Sequence, residues 1–281
     1  MIRFHRLTLP ILAVGASLAT PAFAQDSDTL RTFDGPYISG AVGLVNRSHD
    51  GSNTVIFDTA RDSGPNNTVT TSTGANAFSP GFCDGRSTDT SITTSACTGD
   101  KDDIEYAVRL GFDKRYGNIV GGLLIEGSTT NATDSTTAFS TTPAGYSFTR
   151  GIDYAISARA RLGFAPGNRG MFYATGGGSY ARIKHGFTTT NTSNTFTANK
   201  DRDMVWGWQA GGGAEVMLGS RVSLGMEYLY NRYNDNKYSV AIGQGTAGAT
   251  NPFVLAGGVS ARPSDTTYDF HTFRATLGFH F

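Results

Sequence analysis

Along most of this chain large apolar residues alternate with small or polar ones, the spacing of a strand whose two faces meet different surroundings. The clearest run spans residues 104–113, where Ile104, Tyr106, Val108, Leu110 and Phe112 alternate with Glu105, Ala107, Arg109, Gly111 and Asp113. Every charge falls on one face and every large apolar group on the other. Residues 268–281 repeat the pattern, with Phe273, Ala275, Leu277, Phe279 and Phe281 opposite Thr272, Arg274, Thr276, Gly278 and His280. The same alternation predicts strands over 35–45, 119–127, 150–164, 170–184, 206–218 and 222–231. Long polar stretches (46–102, 128–149, 185–202 and 234–266) separate them in strict alternation with short turns at Tyr116-Gly117-Asn118, Ala165-Pro166-Gly167-Asn168 and Gly219-Ser220.

Eight strands, an even number with long and short connections alternating, are the pattern of an all-β, eight-stranded antiparallel up-and-down transmembrane β-barrel with long extracellular loops. Its last strand must pair with its first, because an open sheet edge cannot survive in lipid. The organisation predicted is a signal peptide over 1–24, a short periplasmic leader over 25–34 and the outer-membrane barrel over 35–281. Arg3 and Arg6 form the charged start of the signal, residues 7–19 its mostly apolar run, and Ala22-Phe23-Ala24 its cleavage site. That run is too short to cross a membrane as a helix. The expected location is the outer membrane of a Gram-negative bacterium, as a monomer.

Composition points the same way. Only 16% of residues are charged, and the lysines, Lys101, Lys114, Lys184, Lys200 and Lys237, all fall at strand ends or in loops. A water-facing sheet would carry lysine along its exposed face. A soluble lipocalin-like barrel would also turn its apolar face inward. Removing Arg3 and Arg6 from the 23 basic residues leaves 21 against 23 acidic ones, so no basic patch argues for nucleic acid.

The segments YISGAVG, GWQAGGGAEVMLGSRVSLGMEYLY and FRATLGFHF resemble the small bacterial outer-membrane β-barrel family, opacity-protein-like and similar to the OmpA transmembrane domain. The resemblance covers most of the chain after the signal. It implies a non-enzymatic barrel with a structural or surface-interaction role, as an envelope-stabilising protein, surface antigen or adhesin. Implied partners are outer-membrane lipid and lipopolysaccharide, the barrel-assembly machinery during insertion, and an extracellular ligand or host surface. Phe279 and Phe281 then stand as the assembly signal. This sequence departs from full-length OmpA in carrying no peptidoglycan-binding domain after the barrel, so direct cell-wall anchoring is not expected.

Three kinds of candidate chemistry remain. The inward face is expected to carry Glu105, Asp113, Glu126, Asp153, Glu215 and Glu227 with Arg109, Arg159, Arg161, Arg182 and Arg274. Eight strands leave a lumen only wide enough for side chains, so these groups must pair. Cys83 and Cys97, 14 positions apart in a polar loop of an exported chain, are expected to form a disulfide, a metal site being the alternative. Tyr116, Phe164, Trp206, Trp208, Tyr230, Tyr233, Phe279 and Phe281 lie near strand ends, as interface girdles require.

Rival readings are a small-solute, porin-like channel, and a haem-binding receptor or lipid-modifying enzyme. Gly176-Gly177-Gly178 and Gly211-Gly212-Gly213 open no helix and precede no Lys-Ser/Thr pair, so they read as strand packing rather than phosphate loops. His49 and His185 are loop residues. His271 is followed by Thr272 and Phe273, without the His-x-Ser spacing of lipid A deacylases on similar barrels. No cofactor is expected.

Overall fold

The structure, a computed structural model, describes residues 32–47, 53–59, 67–91, 97–167 and 169–281. The expected signal peptide, the leader as far as Arg31, His49 and Asn168 lie outside the described residues.

Eight long strands form the barrel: β1 (Gly35–Asn46), β2 (Asp103–Tyr116), β3 (Ile119–Thr130), β4 (Ala144–Phe164), β5 (Gly170–Thr189), β6 (Arg202–Met217), β7 (Val222–Asn234) and β8 (Thr267–His280). Each pairs antiparallel with the next in sequence. β8 also pairs with β1, from Tyr37 opposite His280 to Asn46 opposite His271, and the ring closes without an edge. The Phe281 N–H donates to the Pro36 carbonyl at 3.0 Å, which carries the seam one residue past the ladder.

Alternation sorts the side chains as the pattern predicts. Val108, Leu110, Leu123, Ile156, Leu162, Met226 and Phe273 stand exposed on the outer wall, while Arg109, Asp113, Glu126, Arg161, Glu227 and Arg274 are buried inside. Such an outside is stable only in an apolar solvent, since closed barrels satisfy every backbone group without water. Trp206, Trp208, Tyr154 and Tyr180 are exposed on the outer wall near the long-loop end, and Tyr116, Phe164 and Phe281 near the short-turn end.

The long connections are not irregular, as the sequence suggests, but built. Strand Thr133–Ser140 pairs with the first half of β4, and Gly81–Asp84 adds to its edge. A separate four-stranded antiparallel sheet takes Thr195–Ala198, Val240–Gly243, Val259–Pro263 and Val55–Thr59 from three different loops, in that order. Asn251 caps the one-turn helix Pro252–Leu255 by accepting from the Phe253 N–H at 3.0 Å. Val55, Phe57, Phe78, Tyr146, Phe148, Tyr238, Val240, Ile242, Phe253 and Val259 meet in a second apolar core above the barrel. Phe57 stacks on Phe78 at 4.2 Å, and Tyr146 meets Phe253 edge-on at 5.8 Å. Cys83 and Cys97 are joined as expected, with their Cα atoms 6.5 Å apart.

Candidate functional site

The barrel interior is filled in layers. At the short-turn end Phe33, Val120, Ala165, Met171, Tyr173 and Met217 form an apolar plug. Arg115 closes it by donating to the carbonyls of Gly117 (2.8 Å), Ala165 (3.0 Å) and Gly167 (2.8 Å).

Above the plug lies the charge network that alternation predicts. Arg161 pairs with Asp113 and with Glu215 (2.8 Å), and its guanidinium lies 4.8 Å from the ring centre of Tyr37 and 4.9 Å from that of Tyr173. Inward glycines make this sandwich possible. A Cβ on Gly111 would fall 2.2 Å from the Tyr37 ring, and one on Gly213 would fall 2.8 Å from the Tyr173 hydroxyl. His280 stacks on Tyr37 and contacts Ser223 (3.0 Å) and Glu215 (3.2 Å) through Nε2.

Further along, Glu126 and Glu227 act as two hubs. Arg109 reaches both at 2.8 Å, and Arg274 reaches Glu227 at 2.6 Å, Glu126 at 2.9 Å and Glu105 at 3.4 Å. Arg159 binds Glu126 at 2.8 Å, and the Tyr173 hydroxyl donates to Glu227 at 2.8 Å. Nine of the eleven predicted residues therefore meet in the lumen: Glu105, Arg109, Asp113, Glu126, Arg159, Arg161, Glu215, Glu227 and Arg274.

Asp153 and Arg182 do not. The β4–β5 register shifts between Arg182 and Ile183, where Tyr154 opposes Arg182 but Ile152 opposes Ile183. Asp153 is the extra residue of this bulge, and bulges re-aim side chains. Asp153 therefore stands outside; Arg182 is there by the unbroken alternation of β5, on the face of Tyr180 and Lys184, and both are partly exposed, with Lys184 2.7 Å from Asp153. Ile152, which unbroken alternation with Tyr154 and Ile156 would put on the apolar outer face, is buried inside. Tyr233, expected in a girdle, is also buried in the lumen, its hydroxyl 2.9 Å from Ser179 Oγ. For β5, whose faces the triple glycine obscures in the sequence, Met171, Tyr173, Thr175, Ser179 and Ala181 point inward.

A third layer, Val45, Ile152, Ala181, Ile183, Val205, Tyr233, Tyr268 and Phe270, narrows the lumen under the loops. A second charge cluster that the alternation does not disclose sits on it. Tyr268 lies between Arg47 and Arg150, at 5.2 and 5.3 Å from their guanidinium carbons. Arg150 pairs with Asp134 (2.5 Å) and Asp265 (2.6 Å), Arg47 pairs with Asp134, and His185 meets Asp235 at 2.9 Å. These residues come from four separate connections or strand ends, so no local spacing betrays them. The carboxylates of Asp84, Asp100 and Asp134 also converge within 4.8 Å. A cation there would compete with Arg47 and Arg150, which already engage Asp134.

A closed eight-stranded antiparallel barrel with an apolar outer wall and a charge-filled lumen is an outer-membrane β-barrel. Residues 11–281 match the family described as outer membrane protein beta-barrel domain, and the chain belongs to that family. A segment of 79 residues is 33% identical to the 31 kDa outer-membrane immunogenic proteins of Brucella melitensis and Brucella suis. The match covers 28% of this chain and about a third, 32%, of the relatives' length. Among solved structures, the outer membrane protein OprG from Pseudomonas aeruginosa superposes with a TM-score of 0.50 at 11% identity, over 90% of this chain and 100% of that one, a likeness of fold alone. The chain is thus a Gram-negative outer-membrane protein.

Proposed function

We infer that this protein is a non-enzymatic, non-conducting barrel that carries a rigid extracellular cap, and that the cap meets ligands or surfaces outside the cell. The observation that supports this most is the second core. Residues from all four long connections are spent on an aromatic cluster and a sheet that the barrel itself does not need. Long loops of outer-membrane barrels face outward, and loops with their own structure are normally functional. The immunogenic character named for the Brucella relatives fits a cap exposed at the cell surface. Against catalysis stand the contacts of the described histidines. His185 is buried against Asp235 and Tyr238, His271 is held by the Tyr228 hydroxyl at 2.7 Å, and His280 sits in the filled lumen.

The test is a barrel in which the four connections are replaced by short turns, expressed beside the full protein in cells that lack it. Heat-dependent gel mobility should show that both fold. Only cells with the full protein should gain adherence on an array of extracellular-matrix proteins and surface glycans, and external protease should cut only within the loops. Equal adherence, or cleavage confined to the three short turns, would overturn the reading.

A further inference from the structure

The outer wall carries almost no charge within the membrane-facing band, so a cluster of cations there needs an explanation. Lys184 on β5 lies directly opposite Arg202 on β6, and Arg182 lies two residues along the same face. Like charges placed directly across a strand pair destabilise the sheet unless an anion lies between them. The carboxylates that face the three cations are Asp153, 2.7 Å from Lys184 and 3.9 Å from Arg182, and the highly exposed Asp201, 3.6 Å from Arg202. Among the described residues neither the Arg182 nor the Arg202 guanidinium makes a hydrogen bond to the protein. Their donors are left facing out of the wall. On the neighbouring strand Arg232 is opposed by Asp269 and adds no net charge.

The cluster lies at the long-loop boundary of the membrane. Tyr154 lies directly beside Arg182, whose guanidinium is 6.0 Å from its ring, and Tyr180 and Trp206 form the next row of the same outer face. Deeper still the wall is shallow, because Ala160, Gly176 and Ala210 stand side by side across three strands. On β1, β2 and β3 the outward residues in register with one another towards the same end are Val42, Tyr106 and Thr129, none of them charged. A group that satisfies this geometry has negative charge at headgroup depth and apolar chains beneath.

We propose that Arg182, Lys184 and Arg202 clamp the phosphates of a phosphorylated, multiply acylated glycolipid of the outer leaflet, with its acyl chains over the Ala160–Gly176–Ala210 recess. Two forked guanidiniums and a flexible ammonium are the usual phosphate ligands, and each cation near a lipid surface changes binding about fivefold. The site rests on the outward orientation of the loops, which external protease tests separately.

The experiment is native mass spectrometry of the purified full chain in detergent, titrated with bisphosphorylated lipid A. Wild-type protein should hold one lipid, and Arg182→Ala, Lys184→Ala and Arg202→Ala should each lower occupancy about fivefold. Dephosphorylated lipid A should bind no better than it does to the triple variant. Arg182→Lys with Arg202→Lys should bind more weakly than wild type but better than the triple variant, since the charge stays and the fork is lost, and Asp153→Asn should match or exceed wild type, because it frees two cations. Equal occupancy in wild type and triple variant, or equal binding of dephosphorylated lipid, would overturn the clamp. So would a loss of binding in Asp153→Asn, which would mark the cluster as a structural ion pair. Displacement of the lipid by inorganic phosphate at equal concentration would overturn the choice of a lipid ligand.

Discussion

Arg274 contacts three carboxylates from three different strands while almost fully buried, so its removal strands several charges at once. Losing one partner of a desolvated pair costs about 3–5 kcal/mol, against at most about 1 kcal/mol for an exposed pair. Arg274→Ala should therefore lower the urea midpoint of the barrel in detergent strongly, whereas Lys114→Ala, which frees the exposed Lys114–Asp34 pair, should hardly move it. Comparable midpoints for the two variants would mean that the lumen is wet. At the cap, Asp265 behaves differently from an ordinary carboxylate. Its burial opposes ionisation, but Arg150 and the Thr267 backbone and hydroxyl donors outweigh that and hold it below the usual carboxylate range. A depressed folded pKa stabilises above the unfolded value, about 3.9, and that stability is lost as pH falls through the lower folded value. Acidification into that window should expose residues 234–266 to an acid protease before the barrel unfolds, and Asp265→Asn should produce the same susceptibility at neutral pH. Protection unchanged by either treatment would remove Asp265 from the forces that hold the cap.

At the scale of elements, the eight strands were legible because each solvates its two faces differently, and lipid outside with charge inside makes period two unusually clean. Where a strand loses that contrast, the reading degrades. The triple glycine of β5 offers no side chains to sort, and the bulge at Asp153 slips one residue and turns Ile152 and Asp153 around together. The nine network residues were readable for the same reason as the strands, since charge on an apolar strand has only the lumen to occupy. Arg47, Arg150, Asp134 and Asp265 were not, because their proximity is created by tertiary folding of loops. The cap sheet was hidden too: its strands are four or five residues long, and Val259 pairs with Thr59 two hundred positions away. The disulfide, by contrast, follows from compartment and spacing alone. Closing its short loop contributes about 3 kcal/mol in the chain-entropy view, all of it local to the first connection. Reduction should raise proteolysis between Cys83 and Cys97 while heat-dependent gel mobility stays that of a folded barrel. A barrel that unfolds on reduction would show that the first connection is coupled to closure.

For the molecule as a whole, the question is whether the lumen conducts. Eight strands enclose only enough space for side chains, and here that space is occupied from end to end by the short-turn plug, the arginine network, the narrow apolar layer and the Arg47–Arg150 cluster. A charged lumen alone would leave room for doubt, since hydrated ions pass between loosely held side chains. The two apolar layers sharpen the expectation, because each sets an apolar constriction in series with the network, and such constrictions block by dewetting. The blockage we propose then does not depend on the cap. In planar bilayers both the full protein and the barrel with shortened connections should show no steady conductance. Arg109→Ala, though destabilising, should also stay silent, because the plug around Phe33 and Met171 remains on one side and the Ile183–Phe270 layer on the other. A stable conductance that appears only when the connections are shortened would make the cap a gate and the protein a channel. A conductance in the full protein, reproducible and of constant size, would place solute passage ahead of surface interaction as its role.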